Sequence, residues 1–189
     1  MDEGNRGVLA EAQEPAGETY YLLRSIVTLV VIVVAAFTFV GRTVSVVGPS
    51  METTLSEGEV LLISRLGAKP RYGDIVVFYQ EEGRFDYPLI KRVIATEGQT
   101  IDIDFKTGTV YVDGGALEEP YVSDPANESS RLDFEGSVTV PDGCVFVMGD
   151  NRNRSNDSRD RHIGFVDTRC IIGKAVLRLA PFETFGAIR

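Results

Sequence analysis

The chain of 189 residues is long enough to bury one hydrophobic core, and its formal net charge is −9. This charge argues against nucleic acid as the main partner, because phosphate binding needs a basic surface. His162 is the only histidine, which argues against a His-rich metal site, and we predict no bound metal. The two cysteines, Cys144 and Cys170, leave both a disulfide and two buried thiols open.

The N-terminal region changes composition sharply after its first twenty residues. It starts polar and acidic with no apolar period, and we predict a disordered tail over residues 1–21. Residues 25–41 then carry no charge and are mostly Val, Ile, Leu, Ala or Phe. Together with Leu22 and Leu23, this run predicts a membrane-spanning helix over residues 22–41.

Two other interpretations of this run remain. A core helix would rarely be so uniformly apolar, and a cleaved secretory signal would be followed by a small-x-small site, which residues 38–42 match poorly. Arg6 and Arg24 precede the run and Arg42 follows it. By the positive-inside rule this arrangement favours an anchor in the cell membrane, with the N-terminal tail in the cytoplasm and the remaining domain outside.

Short runs rich in Val, Ile, Phe and Tyr follow the apolar segment, separated by turn signals and without a long amphipathic helix pattern. The sequence therefore predicts a mainly antiparallel β domain over residues 42–189, with a small insertion or hairpin at about 104–141. The predicted strands are residues 43–47, 60–63, 75–78, 89–95, 100–103, 109–112, 138–140, 145–148 and 174–179.

Three segments carry candidate chemistry. Ser50 follows Gly48 and Pro49 at the end of a predicted strand, where a turn would expose its hydroxyl, although most such serines only shape turns. Lys91 and Arg92 interrupt an apolar strand. Because strand side chains alternate between faces, one of the two cations is expected on the more buried face.

A buried lysine has a chemical use, because burial disfavours the ammonium and lowers the pKa. A neutral Lys91 amine could take a proton from a serine hydroxyl. The alternative is an edge-strand lysine that discourages aggregation. The third segment, residues 148–159, is a loop dense in Asp, Asn, Ser and Arg, which indicates either a hydrogen-bonded brace or a solvated loop.

Together these segments and residues 73–78 resemble, in order and spacing, the conserved boxes of type I signal peptidases. Residues 108–114 and 119–121 also look like the connecting hairpin of that family, and the resemblance runs from the apolar segment to about residue 182. The residues that match the boxes are Ser50, Met51, Thr54, Leu55, Gly73, Asp74, Lys91, Arg92, Val93, Ile94, Gly149, Asp150, Asn151, Arg152, Ser155, Asp157, Ser158 and Arg159.

The resemblance implies a serine protease that removes signal peptides from exported preproteins, with membrane lipid around its anchor. Ser50 would be the nucleophile, and Lys91 would be the general base and later the acid, so that no cofactor is needed. Ser155 would hydrogen-bond and orient Lys91, while Asp157 and Arg159 would brace the loop. Ser50 follows Arg42 by eight residues, which at ~3.3 Å per residue keeps it within roughly 25 Å of the membrane surface.

Further roles also follow from the resemblance. The Ser50 N–H would stabilise the oxyanion, and small residues, typically Ala, would be required at the first and third positions before the cut. Gly48 occupies a position where some members carry a hydroxyl residue; it either leaves room or adopts a positive φ, and we expect Gly48→Ser to be tolerated. The remaining supporting candidates are Asp150 and Ser158, and the substrate-binding candidates, by proximity, are Val46, Met51 and Ile90.

Three departures from the family pattern concern turns: Thr53 replaces a usual Pro, Ala95 a usual Gly, and Gly98-Gln99 a usual Gly-Asp. Three rival functions also remain. One is a Ser–His–Asp triad that uses His162, and another is a self-cleaving repressor-type Ser–Lys protease. The last is a catalytically inactive, membrane-tethered β scaffold.

Overall fold

A computed structural model describes residues 16–39, 41–65, 69–80 and 87–188. The chain divides into two compact units, Met1–Phe39 and Val40–Arg189, which we describe separately. Residues 1–15 of the predicted tail lie outside the described residues.

The first unit contains one α-helix, α1, over Ala16–Phe39. Its 24 residues measure ~36 Å at 1.5 Å per residue, and the window Gly17–Val34 is long and apolar enough to cross a membrane. The predicted boundaries were wrong at both ends. Residues 16–21 are helical, since Glu18 in the first turn favours a helix start, and residue 41 already belongs to a strand.

The second unit is mainly antiparallel β, as predicted, and its described residues contain 3₁₀ turns but no α-helix. All nine predicted strands are present with boundary shifts of up to three residues. Three two-residue strands were missed, because they are too short to show an alternating pattern. The strands are β1 Gly41–Ser45, β2 Val60–Ser64, β3 Ile75–Phe78, β4 Leu89–Thr96, β5 Thr100–Asp104, β6 Thr109–Val112, β7 Gly115–Ala116, β8 Val138–Thr139, β9 Cys144–Met148, β10 Val166–Asp167, β11 Ile171–Ala180 and β12 Gly186–Ala187.

These strands form two sheets. The larger has the order β1-β2-β11-β3-β4-β9-β10, with β12 paired to β11. The smaller has the order β7-β6-β5-β8 and begins at Thr100, so the predicted insertion at about 104–141 coincides with most of it. Cys144 and Cys170 form no disulfide with each other.

One row of paired residues crosses five strands of the larger sheet. Gly41 pairs with Ser64, Ser64 with Lys174, Lys174 with Val76, and Val76 with Lys91. The residue that opens β1, two positions after the end of α1, therefore shares a register row with Lys91.

Three buried clusters form the core of the β domain, and two of them hold the smaller sheet and the segment around Ser50. One packs the smaller sheet against β4 and β9, with Phe105, Phe134 and Phe146 in edge-to-face contact. The other lies beneath Ser50 and consists of Val46, Met51, Leu55, Leu61, Ile63, Ile75, Val77, Ile90 and Ala175. Burial of apolar residues on both sides of Ser50 fixes the turn that carries it.

Candidate active site

Ser50 lies in a turn that buried neighbours hold in place. Val46 before it is 3% exposed and Met51 after it is 1% exposed, whereas Ser50 itself is half-buried. Backbone hydrogen bonds from Glu52 N to Pro49 O and from Leu55 N to Met51 O, at 3.1 and 2.7 Å, close the turn. The hydroxyl therefore reaches the surface from a rigid backbone.

Lys91 faces this hydroxyl from strand β4. Its Nζ donates to Ser50 Oγ at 2.8 Å and to the Ile90 carbonyl oxygen at 3.1 Å. The residue is 3% exposed, and burial lowers the pKa of Lys91 from 10.5 to about 8, with partial opposition from the charge of Asp157. A substantial neutral fraction near pH 8 equips the amine to accept a proton from the hydroxyl.

An open groove of about 600 Å³ runs along Ser50 and Lys91. Its walls are residues 45–51 and 87–91, with Arg154 and Asn156 contributing from the polar loop. The three residues predicted to bind substrate all line this groove: Val46, Met51 and Ile90. An extended apolar peptide has the shape and chemistry to lie in it.

The prediction that Ser155 hydrogen-bonds to Lys91 was wrong. Ser155 is 7% exposed, and its Oγ lies beside the Asp157 carboxylate, whose pKa it helps to lower, and not in hydrogen-bond contact with Lys91. Its side chain packs against Gly149 instead. The Ile90 carbonyl oxygen and Ser50 Oγ hold the Lys91 amine.

Asp157 and Arg159 form a fully buried bidentate ion pair below the dyad. Arg159 Nε and Nη2 each donate to an Asp157 carboxylate oxygen at 2.8 Å. Burial alone would raise the pKa of Asp157, but Arg159 and the Gly149 N–H outweigh it, so the pKa lies below its ordinary value. Ser158 ties the segment to β9, since its Oγ accepts from Val147 N at 2.9 Å. The loop is thus a brace.

Asp150 forms a second buried pair, with the neighbour of Lys91. Arg92 Nε and Nη2 donate to the two Asp150 carboxylate oxygens at 2.9 and 2.8 Å, and Thr54 Oγ1 donates to the same carboxylate at 2.5 Å. The Arg92 guanidinium also lies 4.0 Å from the Tyr121 ring centroid. Asp150 therefore supports the strand that carries Lys91, and it does so through Arg92.

Sequence reasoning gave no role to several of these residues, although it noted the segments that contain them. Arg92 and Arg152 are 2% and 1% exposed, and Arg152 donates to both Glu119 carboxylate oxygens at 2.8 and 2.6 Å. The signal available was the density of arginines in the loop together with Glu119 in the matched hairpin. Charged side chains are almost never fully buried unless they are paired.

Backbone conformation settles the alternatives for Gly48. Its φ is +82°, a region that favours glycine, which argues against the expected tolerance of Gly48→Ser even though the surroundings offer space for a side chain. Thr53 is also in this region, with φ +88°, and its Oγ1 donates to the Tyr121 carbonyl oxygen at 2.5 Å. Proline cannot adopt such a φ, so Thr53 gives this turn a local geometry of its own.

His162 is paired with an aspartate, as in a triad, but in the described structure the serine hydroxyl is bonded to a lysine. Its Nδ1 lies 2.8 Å from Asp160 Oδ1, whereas the Ser50 hydroxyl contacts Lys91. The buried lysine, the neighbouring serine and the apolar groove define the class of site, which is that of a serine hydrolase with a lysine base.

Comparison with known proteins identifies the family. The sequence pattern of the family described as "Signal peptidase, peptidase S26" matches residues 19–180. A probable signal peptidase I-1 of Synechocystis is 40% identical over 149 residues, covering 74% of this chain and 71% of the relative. The signal peptidase I of Bacillus licheniformis is 34% identical over 170 residues, covering 85% and 88%. The chain belongs to the signal peptidase family, peptidase S26.

A solved structure is also similar. A signal peptidase I from Enterococcus faecalis has a TM-score of 0.46 with 33% sequence identity, over 57% of this chain and 97% of the other.

Proposed function

We propose that this chain is a membrane-bound serine endopeptidase that cleaves N-terminal signal peptides from exported preproteins. Ser50 is the nucleophile and Lys91 the general base. The observation that carries the proposal is the 2.8 Å contact between Lys91 Nζ and Ser50 Oγ, with the amine buried and its pKa lowered. Membership of the signal peptidase family supports the same reaction.

The proton transfers of the reaction need no side chain beyond this dyad. Neutral Lys91 takes the hydroxyl proton while Ser50 Oγ attacks the scissile carbonyl carbon, which gives a tetrahedral oxyanion. The Lys91 ammonium then protonates the leaving amine as the C–N bond breaks, leaving an acyl ester on Ser50. Water, deprotonated by the same amine, hydrolyses the ester and restores the serine.

The oxyanion needs donors that are aimed at its developing charge, and removal of one donor typically costs ~100–1,000-fold in rate. We assign one donor to the backbone N–H of Ser50. No hydrogen bond in the described part of the chain uses this N–H. Gly48 contributes the backbone bend that precedes it.

Substrate would lie extended in the groove, with small side chains at the first and third positions before the cut. The apolar wall of the groove suits small apolar side chains of the substrate. It is formed by Val46, Met51 and Ile90, each less than 10% exposed. The supporting residues Asp150, Asp157, Ser158 and Arg159 keep the Lys91 strand and the loop in place, and Ser155 fills the space beside Gly149.

For topology we propose that α1 spans the cell membrane in contact with lipid. Its N-terminus would face the cytoplasm and the β domain would lie outside. The support is the apolar window Gly17–Val34 and the placement of Arg6 and Arg24 before most of the apolar run.

The decisive experiment incubates the purified full chain, in detergent, with a preprotein and follows cleavage. Ser50→Ala and Lys91→Met should each abolish cleavage in a folded protein. The double variant should lose little more than either single variant, because nucleophile and base act as a unit. His162→Ala is the control and should retain activity, whereas its inactivation would favour the triad. A folded Ser50→Ala protein that still cleaves would overturn the proposal.

A further inference from the structure

A cluster of cations surrounds two adjoining cavities of the β domain, one of which shares Pro88 with the groove at Ser50. The cavities measure about 390 and 460 Å³ and share Arg65, Arg169, Ile171 and Ile172 in their walls. We call the cations that line them the cationic corner: Arg42, Arg65, Lys69, Arg169 and Lys174.

The charge of the cationic corner stands out because the whole chain is acidic, with a net charge of −9. Asp74 is the one acidic residue among those that line the two cavities in the described structure. Lys69, Lys174 and Arg169 pair with acids, but those cationic side chains are 84%, 50% and 88% exposed. The Lys69–Glu97 pair, in which both side chains are exposed, contributes ~0–1 kcal/mol, so Lys69 can exchange its partner for an anionic ligand. Lys174 and Arg169 stay paired with acids that are 15% and 32% exposed, and their own exposed side chains add positive charge to the cavity walls.

Apolar groups lie directly beside the charges. Val44, Ile63 and Ile172 line the second cavity together with Tyr79, which is 49% exposed. A free phosphate ion would gain no binding energy from this apolar wall. A phospholipid combines an anionic phosphate with a glycerol backbone and acyl chains, and it would use both surfaces.

A short connection joins this corner to the end of α1. Arg42 is three residues beyond Phe39, the last residue of α1, so covalent geometry keeps it within ~11 Å of the helix end. Gly41 pairs with Ser64, which brings Arg65 to the same edge, and Ser64 pairs with Lys174. Arg42 and the paired edge of β2 are therefore the part of the β domain that the chain joins most directly to α1.

We propose that the cationic corner binds the phosphate headgroup of an anionic phospholipid, with the adjacent apolar wall contacting the start of its acyl chains. The proposal rests on the membrane anchoring of the proposed function but not on its catalytic dyad. Bound lipid would fix the β domain against the bilayer surface and so present the groove to a membrane-held substrate.

The test is native mass spectrometry of the delipidated full chain in detergent, with added dihexanoyl phosphatidylglycerol or dihexanoyl phosphatidylcholine. The wild-type chain should retain phosphatidylglycerol in preference to phosphatidylcholine. Arg42→Gln combined with Arg65→Gln should weaken phosphatidylglycerol binding about five-fold per charge removed. Arg131→Gln combined with Arg161→Gln removes the same charge from exposed pairs elsewhere and should leave binding unchanged.

Several outcomes would overturn the proposal. They are equal retention of the two lipids, equal loss in both double variants, or displacement of the lipid by an equimolar amount of inorganic phosphate, which would indicate a plain phosphate site. Ser50→Ala should bind phosphatidylglycerol as the wild type does. Lipid binding can thus fail while cleavage persists, or the reverse.

Discussion

Gly149 and Ser155 are packed so closely that position 149 has no room for a side chain. A Cβ atom on Gly149 would lie 2.5 Å from the Ser50 carbonyl oxygen and closer still to Ser155 Oγ. The Gly149 N–H also donates to Asp157 at 3.0 Å, and its carbonyl oxygen accepts from Arg152 Nε at 3.0 Å. Gly149 therefore packs directly against the backbone of the nucleophile, next to Asn151, whose N–H donates to the Ser50 carbonyl oxygen at 3.1 Å.

Gly149→Ala should consequently impair both stability and catalysis. The added methyl must push away the Ser50 backbone or the Ser155 side chain, and overpacking of this kind costs ~1–3 kcal/mol. We expect a lower Tm, and a fall in kcat/KM that exceeds the loss of folded protein, since the Ser50 turn moves relative to Lys91. Gly186→Ala is the matched control, because a Cβ there meets open space. Wild-type kcat/KM in Gly149→Ala would show that the contact is dispensable.

Activity should depend on pH through the lysine. Burial lowers the pKa of Lys91 to about 8, so the amine is protonated and inactive as a base below that pH. In the free enzyme kcat/KM should fall about ten-fold per pH unit below pH 8 and level off above it. The measurement is a kcat/KM profile on a peptide without titrating groups in this range. A profile flat from pH 6 to pH 9 would exclude Lys91 as the base.

Loss of the Asp150 charge should destabilise the domain. In Asp150→Asn the guanidinium of Arg92 remains 2% exposed without its anionic partner, and breaking a buried pair in this way costs ~3–5 kcal/mol. Glu128→Gln breaks the exposed pair with Arg131 and should cost at most ~1 kcal/mol. Chemical unfolding of both variants measures the difference. Equal unfolding midpoints for the two variants would mean that the Arg92–Asp150 pair does not stabilise the domain more than an exposed pair does.

Gly48→Ser should lower stability and activity, contrary to the expectation from sequence. With φ at +82°, a side chain at position 48 costs ~1–2 kcal/mol, although nothing obstructs it. Tm and kcat/KM should both decrease, and Gly48→Asn should be milder, since Asn tolerates this region better. Gly186→Ser, where φ is not positive, controls for the added hydroxyl. An increase in kcat for Gly48→Ser would point instead to a vacant donor site.

The contact between Ser50 and Lys91 could be predicted from sequence, because the residues around each of them form a recognisable pattern. A lysine within an apolar strand or a serine after Gly-Pro does not by itself indicate a function. The combination is more specific, because the serine, the lysine and the polar loop follow one another in the order found in a known family. The strands were predictable for a similar reason, because side-chain alternation and turn residues mark them.

Other features depend on tertiary context that no local pattern carries. Alternation predicted that only one of Lys91 and Arg92 would be buried, but both faces of β4 are covered and both are buried. The sign of φ at Gly48 was not predictable either, since glycine adopts both signs with similar ease. The partner of Ser155 depends on packing against Gly149, which is close in space only after folding.

The register row from Gly41 to Lys91 fixes a distance across the β domain. Four strand spacings of ~4.8 Å separate these two residues, which in a flat sheet places the backbone of Lys91 ~19 Å from that of Gly41. Twist and curvature of the sheet can only shorten this straight-line distance. Sheet hydrogen bonds do not stretch, and that limit changes only if a strand is added or lost. An extended peptide covers the same distance in about six residues. The number of strands between β1 and β4 therefore sets how far Lys91 can lie from the residue that opens β1.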